Sequence, residues 1–187
     1  MPRKRTVSDR DLLDAALVVV RSDGPDALTF GALARESGLA ASTIVQRFGS
    51  KPGLLRAALS RAWDLLDERT ATAVAAAAPD PGGVVELLVR LTGSYDEADF
   101  ADQLRVLRED LRDEVLRERG RVWLAVLIAA VEQRLAAAPG GPAGLGALVV
   151  AHWQGTLTLW GFTRDAPLPD VVRSALTDLL ARLRLIR

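Results

Sequence analysis

Residues 29–55 read TFGALARESGLAASTIVQRFGSKPGLL, and the places where this stretch turns decide the fold. Thr29 is set to cap a helix whose Leu33 and Ala34 face inward, and Gly38 supplies the left-handed backbone that ends it. Leu39 follows, positioned to pack beneath the turn. From Ala41 to Arg47 the pattern predicts a second short helix. Ile44 and Phe48, four residues apart, take its inner face, while Ser42, Thr43, Val45, Gln46 and Arg47 point outward or flank it. Ser50 caps a third helix and Lys51 sits in its first turn, where the helix dipole disfavours a cation unless a phosphate stands nearby. For Lys51 alone, a solvated lysine in a helical hairpin is the plain alternative. Taken together, a short helix with a polar, hydrogen-bonding outer face suits the major groove of DNA.

Working outward, Ser8 with Asp11 forms an acidic variant of the capping box, and Leu13, Ala16, Leu17 and Val20 mark one face of a first helix ending near Ser22. With the two helices above it makes a three-helix headpiece. A longer helix is expected from about Pro52 to Ala78, stopped by the Pro79–Gly83 segment. Val84–Thr92 reads as helical, Gly93–Asp96 loosens the chain, and a charged amphipathic segment follows from about Glu97 to Leu107. Another helix is expected from roughly Arg112 to Ala138. Its uncharged centre, Val122–Val131, is expected to be buried on several sides. Pro139–Pro142 breaks it.

The next segment, Ala143–Thr163, has no acid or base except His152, and after Asp165–Pro169 a last helix carries the stripe Val171, Val172, Ala175, Leu176, Leu179, Leu180 and Leu183. Although 143–163 has the length of a membrane span, His152, Gln154, Thr156 and Thr158 interrupt it and no basic flank anchors it, so no membrane partner is expected. A buried interface helix is the better account. Beside the last helix it makes half of a four-helix bundle that a second copy completes, giving a homodimer through the last two helices. Such a pair sets two recognition helices about one duplex turn apart. The expected fold is all-α, about nine helices, with no strand or repeat. Residues 1–51 are expected to form a helix-turn-helix DNA-binding domain, and 52–187 a helical dimerisation domain.

Length and composition agree with this plan. A chain of 187 residues with 49% hydrophobic content has enough apolar surface for a core. Its formal charge is zero, but residues 1–51 carry 8 Lys or Arg against 6 Asp or Glu, and the remainder 16 against 18. Arg3, Lys4, Arg5 and Arg10 face only Asp9 in the first decade, an arm suited to lie along phosphates or enter a minor groove, or simply to stay mobile and solvated. There is no cysteine, hence neither a disulfide nor a thiolate metal site. A basic start followed by Ser8, Asp9, Arg10 and Asp11 rather than a long apolar run leads to the expectation of no signal peptide and a cytoplasmic location.

Thr29–Leu55 resembles the helix-turn-helix signature of the TetR family of transcriptional regulators. Thr29 and Phe30 match its start, Leu33 and Ala34 its inner face, and Gly38 with Leu39 its turn. Thr43, Ile44, Phe48, Ser50, Lys51 and Leu54 match the recognition helix and the start of the next. In two places the chain departs. Val45 stands where the family usually has tyrosine, and Arg47 where it often has histidine; both family residues commonly touch the DNA backbone. Arg47 keeps a phosphate grip with a fixed charge, whereas Val45 offers only apolar contact. The resemblance implies a ligand-responsive repressor that binds double-stranded operator DNA as a homodimer and is released by a small-molecule effector. The expected DNA contacts are Arg3, Lys4, Arg5, Thr29, Ser42, Thr43, Val45, Gln46, Arg47 and Lys51.

Nothing in the sequence assembles an enzyme. The single His152 lies in an apolar helix, the acids fall in runs mixed with arginine, and no phosphate-cradling glycine loop follows a strand. No catalytic residue, metal or cofactor is expected. The resemblance implies a small-molecule pocket among the middle helices, and Trp63, Tyr95, Phe100, Trp123, Leu127, His152 and Trp153 are its candidate walls. Aromatics at helical spacing serve equally as core. If these residues do line a pocket, its ligand is mainly apolar or aromatic. Two rivals stand beside this reading: a DNA-binding regulator without a small-molecule inducer, governed by a protein partner or by abundance, and a helical enzyme or carrier that keeps the fold.

Overall fold

A computed structural model describes residues 7–93, 97–138 and 143–186, with the backbone alone for 97–102. Among the described residues there are nine α-helices: α1 Asp9–Asp23, α2 Phe30–Ser37, α3 Ala41–Phe48, α4 Lys51–Ala76, α5 Pro81–Thr92, α6 Glu97–Arg112, α7 Glu114–Leu135, α8 Leu145–Thr163 and α9 Leu168–Arg182. A 3₁₀ turn, Pro25–Ala27, joins α1 to α2, where the sequence suggested only a stop. Contacts divide the chain into two compact units, Met1–Leu65 with Ala101–Gly120, and Leu66–Phe100 with Arg121–Arg187.

The first unit is built on α1. Ser8 caps it, its hydroxyl accepting from the Asp11 amide while the Asp11 carboxylate accepts from the Ser8 amide, which satisfies two of the donors a helix start leaves open. Leu12, Ala16, Leu17, Val19 and Val20 turn inward to meet Leu28, Leu33, Ile44, Leu54, Ala58, Leu59 and Leu116. Leu12, rather than the expected Leu13, takes the deepest place; Leu13 packs half-buried at the margin. Each fully buried leucine contributes about 1.5–3 kcal/mol relative to an exposed one.

Ion pairs bring distant parts of this unit together: Arg61 Nε with Asp14 at 2.9 Å, Arg56 Nε with Asp113 at 2.6 Å and Arg119 with Asp64 at 2.7 Å. Asp113 also receives the amides of Val115 and Leu116. It thereby starts α7 and ends α6, so the break falls at 113 and α6 extends beyond the expected Leu107.

In the second unit α9 packs on α5 and α8. Leu168, Val172, Leu176 and Leu180 are buried, every fourth residue of one helix face. Two tryptophans from other helices are satisfied by threonines: Trp153 Nε1 donates to Thr92 Oγ1 at 3.0 Å and Trp123 Nε1 to Thr70 Oγ1 at 2.9 Å. Each threonine donates in turn to the carbonyl four residues back in its helix, so no polar atom in these pairs is left open.

Arg134 closes the end of α4, donating to the carbonyls of Val74, Ala77 and Ala78, where the helix leaves acceptors unpaired and its dipole favours a cation. Glu132 does the converse for α8, accepting from the amides of Gly144 and Gly146 at 2.5 Å each.

Two long helices are less buried than their composition suggests. In α7 only Trp123, Leu127 and Val131 of the uncharged centre are buried, while Val122, Leu124 and Val126 are exposed. The expectation of burial on several sides is therefore corrected: absence of charge does not measure enclosure, and one face in four-residue steps fills the core. In α8, Val149, Val150, Trp153 and Trp160 are buried, whereas Leu148, Leu159 and Phe162 are exposed, Phe162 to 85%. No helix among the described residues is long and apolar enough to cross a membrane.

Candidate nucleic-acid interface

The headpiece turns as its sequence reads. Thr29 caps α2, its hydroxyl accepting from the Ala32 amide at 3.0 Å, and Gly38 ends the helix at φ 72°, ψ 9°. That left-handed conformation costs a residue with a Cβ about 1–2 kcal/mol. Gly38 thus sets where α3 begins, and Ile44 at 0% exposure fixes which face of α3 points inward.

The opposite face is left to solvent. Ser42, Val45, Gln46 and Arg47 are exposed and Thr43 half-buried, so the outward set read from the sequence lies on one side of a single two-turn helix. Val45 is 40% exposed, an apolar surface among polar neighbours. Ser50 Oγ accepts from the Gly53 amide at 3.2 Å and starts α4. A Cβ at Gly53 would stand 2.6 Å from the Phe48 carbonyl oxygen, so the junction of α3 and α4 closes only around a glycine.

Both cations at the edge of this face already have protein partners. Arg47 Nη1 donates to the Val7 carbonyl at 2.8 Å and to Asp9 Oδ1 at 3.0 Å. Lys51 Nζ donates to the Asp26 carbonyl at 2.8 Å, tying the start of α4 to the 3₁₀ turn. Sequence reasoning placed both cations and missed both partners. Separations of 38, 40 and 25 residues carry no local pattern that would reveal them. Arg3, Lys4 and Arg5 lie outside the described residues.

The candidate pocket walls fall in both units. Trp63 belongs to the first unit, where its Nε1 donates to Asp110 Oδ1 at 3.1 Å. Trp123, Leu127 and Trp153 are buried in the second unit. His152, the neighbour of Trp153 in α8, is exposed. Tyr95 and the Phe100 side chain lie outside the described residues. Among the described residues no cluster of His, Asp or Glu is arranged to hold a metal ion.

A capped helix, a glycine turn and a second helix with a buried inner face and a polar outer face make a helix-turn-helix, the arrangement of a class of DNA-binding headpieces. Residues 12–58 match the family model described as bacterial regulatory proteins, tetR family. The headpiece is thus similar to that of TetR-family transcriptional regulators.

Solved structures share its fold along nearly the whole chain. A transcriptional regulator from Rhodococcus sp. Rha1 is 16% identical, with a TM-score of 0.74 over 96% of this chain and 100% of its own. A transcriptional regulator from Saccharomonospora viridis, solved in complex with choline, is 19% identical, with a TM-score of 0.72 over 91% and 93%. The multidrug binding protein EbrR, complexed with imidazole, is 22% identical, with a TM-score of 0.67 over 92% and 94%. No curated protein sequence matches the chain.

Proposed function

We propose that the protein is a homodimeric repressor that binds a near-palindromic operator and is released by a small, mainly apolar or aromatic effector. In this reading residues 1–51 hold DNA, and 52–187 pair the chains and sense the effector. Ser42 and Gln46 approach base edges, Val45 meets a thymine methyl, and Thr29, Thr43, Arg47 and Lys51 hold phosphate, with Arg3, Lys4 and Arg5 adding attraction along the duplex. The observation that carries the reading is the outer face of α3, polar and open above a fully buried Ile44.

Pairing is supported by the exposed apolar side of α8. Leu148, Leu159 and Phe162, with Ala151, His152 and Gly155 between them, follow helical spacing down one face. The half-buried Val171, Ala175 and Leu179 of α9 extend it. Sensing is supported by the complexes of similarly folded proteins with choline and imidazole.

A second reading, regulation without a small-molecule inducer, is favoured by the indoles themselves. Trp63, Trp123 and Trp153 each have the ring N–H engaged within the protein, as core tryptophans do.

One experiment separates the readings. DNA fragments selected by the protein from its source genome define the operator, and a compound series is then screened for loss of operator binding together with a rise in melting temperature. A compound that does both supports the inducer. Operator binding untouched by every compound supports the second reading, and failure to select any fragment contradicts both.

A further inference from the structure

Arg47 is the one cation on the recognition helix, and its guanidinium is paired to Asp9 at 3.0 Å and to the Val7 carbonyl at 2.8 Å. The pair is unequal. The Arg47 side chain is 27% exposed and that of Asp9 68%, so the carboxylate is the more solvated partner. Asp9 also has a reason of its own to be there, since it lies in the first turn of α1, where the helix dipole favours an acid.

DNA binding gains from each net positive charge that replaces condensed counterions at a phosphate. A guanidinium paired with a carboxylate brings little net charge. A phosphate that reaches Arg47 must displace the Asp9 carboxylate or accept its donors with that carboxylate a few ångströms away, and either route weakens the contact.

We infer that Asp9 is a built-in competitor for DNA phosphate at Arg47, an affinity-setting residue that holds down the sequence-independent share of binding. The inference rests on the proposed phosphate contact of Arg47. Asp9 touches no base in this scheme and acts through Arg47 alone, so its effect falls on operator and unrelated duplexes alike.

The test is a double-mutant cycle on the full-length protein, with affinity for a random-sequence duplex measured across a salt series. Asp9→Asn should tighten binding about two- to fivefold at low salt, the range an exposed ion pair is worth, and should steepen the salt dependence. Arg47→Gln should loosen binding and flatten it. In the Arg47→Gln background, Asp9→Asn should change nothing. Asp9→Ser, which removes the same carboxylate, should repeat the pattern if asparagine disturbs α1.

Tightening of equal size in both backgrounds overturns the inference, since Asp9 would then act as a general negative charge. So does unchanged or weaker binding on removal of the carboxylate, while loosening by Arg47→Gln would leave the phosphate contact standing. If Arg47→Gln has no effect, the phosphate contact and the competitor fall together.

Discussion

The indole Nε1 of Trp63 donates to Oδ1 of Asp110 at 3.1 Å, a bond from α4 to α6 within the first unit. Burial pushes the Asp110 carboxyl up from 3.8 to about 6, the Trp63 donation pulls it down in part, and the neighbouring Asp113 and Glu109 push it up further. Its value in the fold lies above that of the unfolded chain, so the fold binds this proton more tightly. The contribution of Asp110 to stability therefore falls as pH rises from 3.8 to about 6 and is recovered on acidification. Asp113 works the other way. Desolvation alone would raise its value, but the Arg56 guanidinium and the amides of Leu116 and Val115 together outweigh that and hold it low, so its contribution is lost only as pH falls through that lowered value.

The Trp63 indole proton should accordingly titrate in an NMR pH series with a midpoint near pH 6, and Asp110→Asn should abolish the step while keeping the fold. A flat response between about pH 5 and 7 would place the carboxyl in its ordinary range.

Lys51→Ala should weaken binding to all DNA sequences alike and reduce the salt slope by roughly one unit, the loss of one phosphate contact. Its Nζ donates to a backbone carbonyl at 2.8 Å, a neutral partner that does not compensate the charge. Affinity titrations at several salt concentrations read the slope. An unchanged slope removes Lys51 from the phosphate contacts.

Gln46 is exposed on α3, and its substitution should change which base is preferred at one position of each half-site, with about 1–3 kcal/mol at stake for a bidentate contact. Selection of bound sequences from a random pool by wild type and Gln46→Ala gives the readout. Identical preferences would take Gln46 away from the bases.

If the exposed face of α8 pairs two chains as proposed, Leu159→Asp should split the dimer and lower operator affinity in the same step. Leu159 is 67% exposed in the single chain, so a charge there leaves the core intact. Sedimentation velocity reports the mass, and a dimer that survives the substitution would move the interface off this face of α8. Leu179 is a poorer probe, being half-buried beside Leu176 and Leu180, which are buried within the chain.

The headpiece was legible because its information is local. Thr29 and Ser50 cap their own helices, Gly38 turns its own chain, and Ile44 and Phe48 lie one helical turn apart, so a window of 27 residues holds the whole pattern. The element order beyond it was legible for the same reason, from prolines, glycines and apolar spacing. Partners were not: Asp9 for Arg47, Asp14 for Arg61 and Asp113 for Arg56 depend on helix placement across 38 to 57 residues. Enclosure was misjudged in Val122–Val131, because uncharged residues on an exposed face look in sequence like those in a core. The seven-residue stripe of α9 divides between Val172, Leu176 and Leu180, buried within the chain, and Val171, Ala175, Leu179 and Leu183, left half-buried.

The most direct test of the account is a hydroxyl-radical footprint of the purified protein on a fragment selected from its source genome. Two α3 helices related by a dyad should protect two short patches on one face of the duplex, their centres about one helical turn or a whole multiple of it apart, mirrored across the centre of the site. A single patch without that symmetry, or no protected fragment at modest ionic strength, would contradict it.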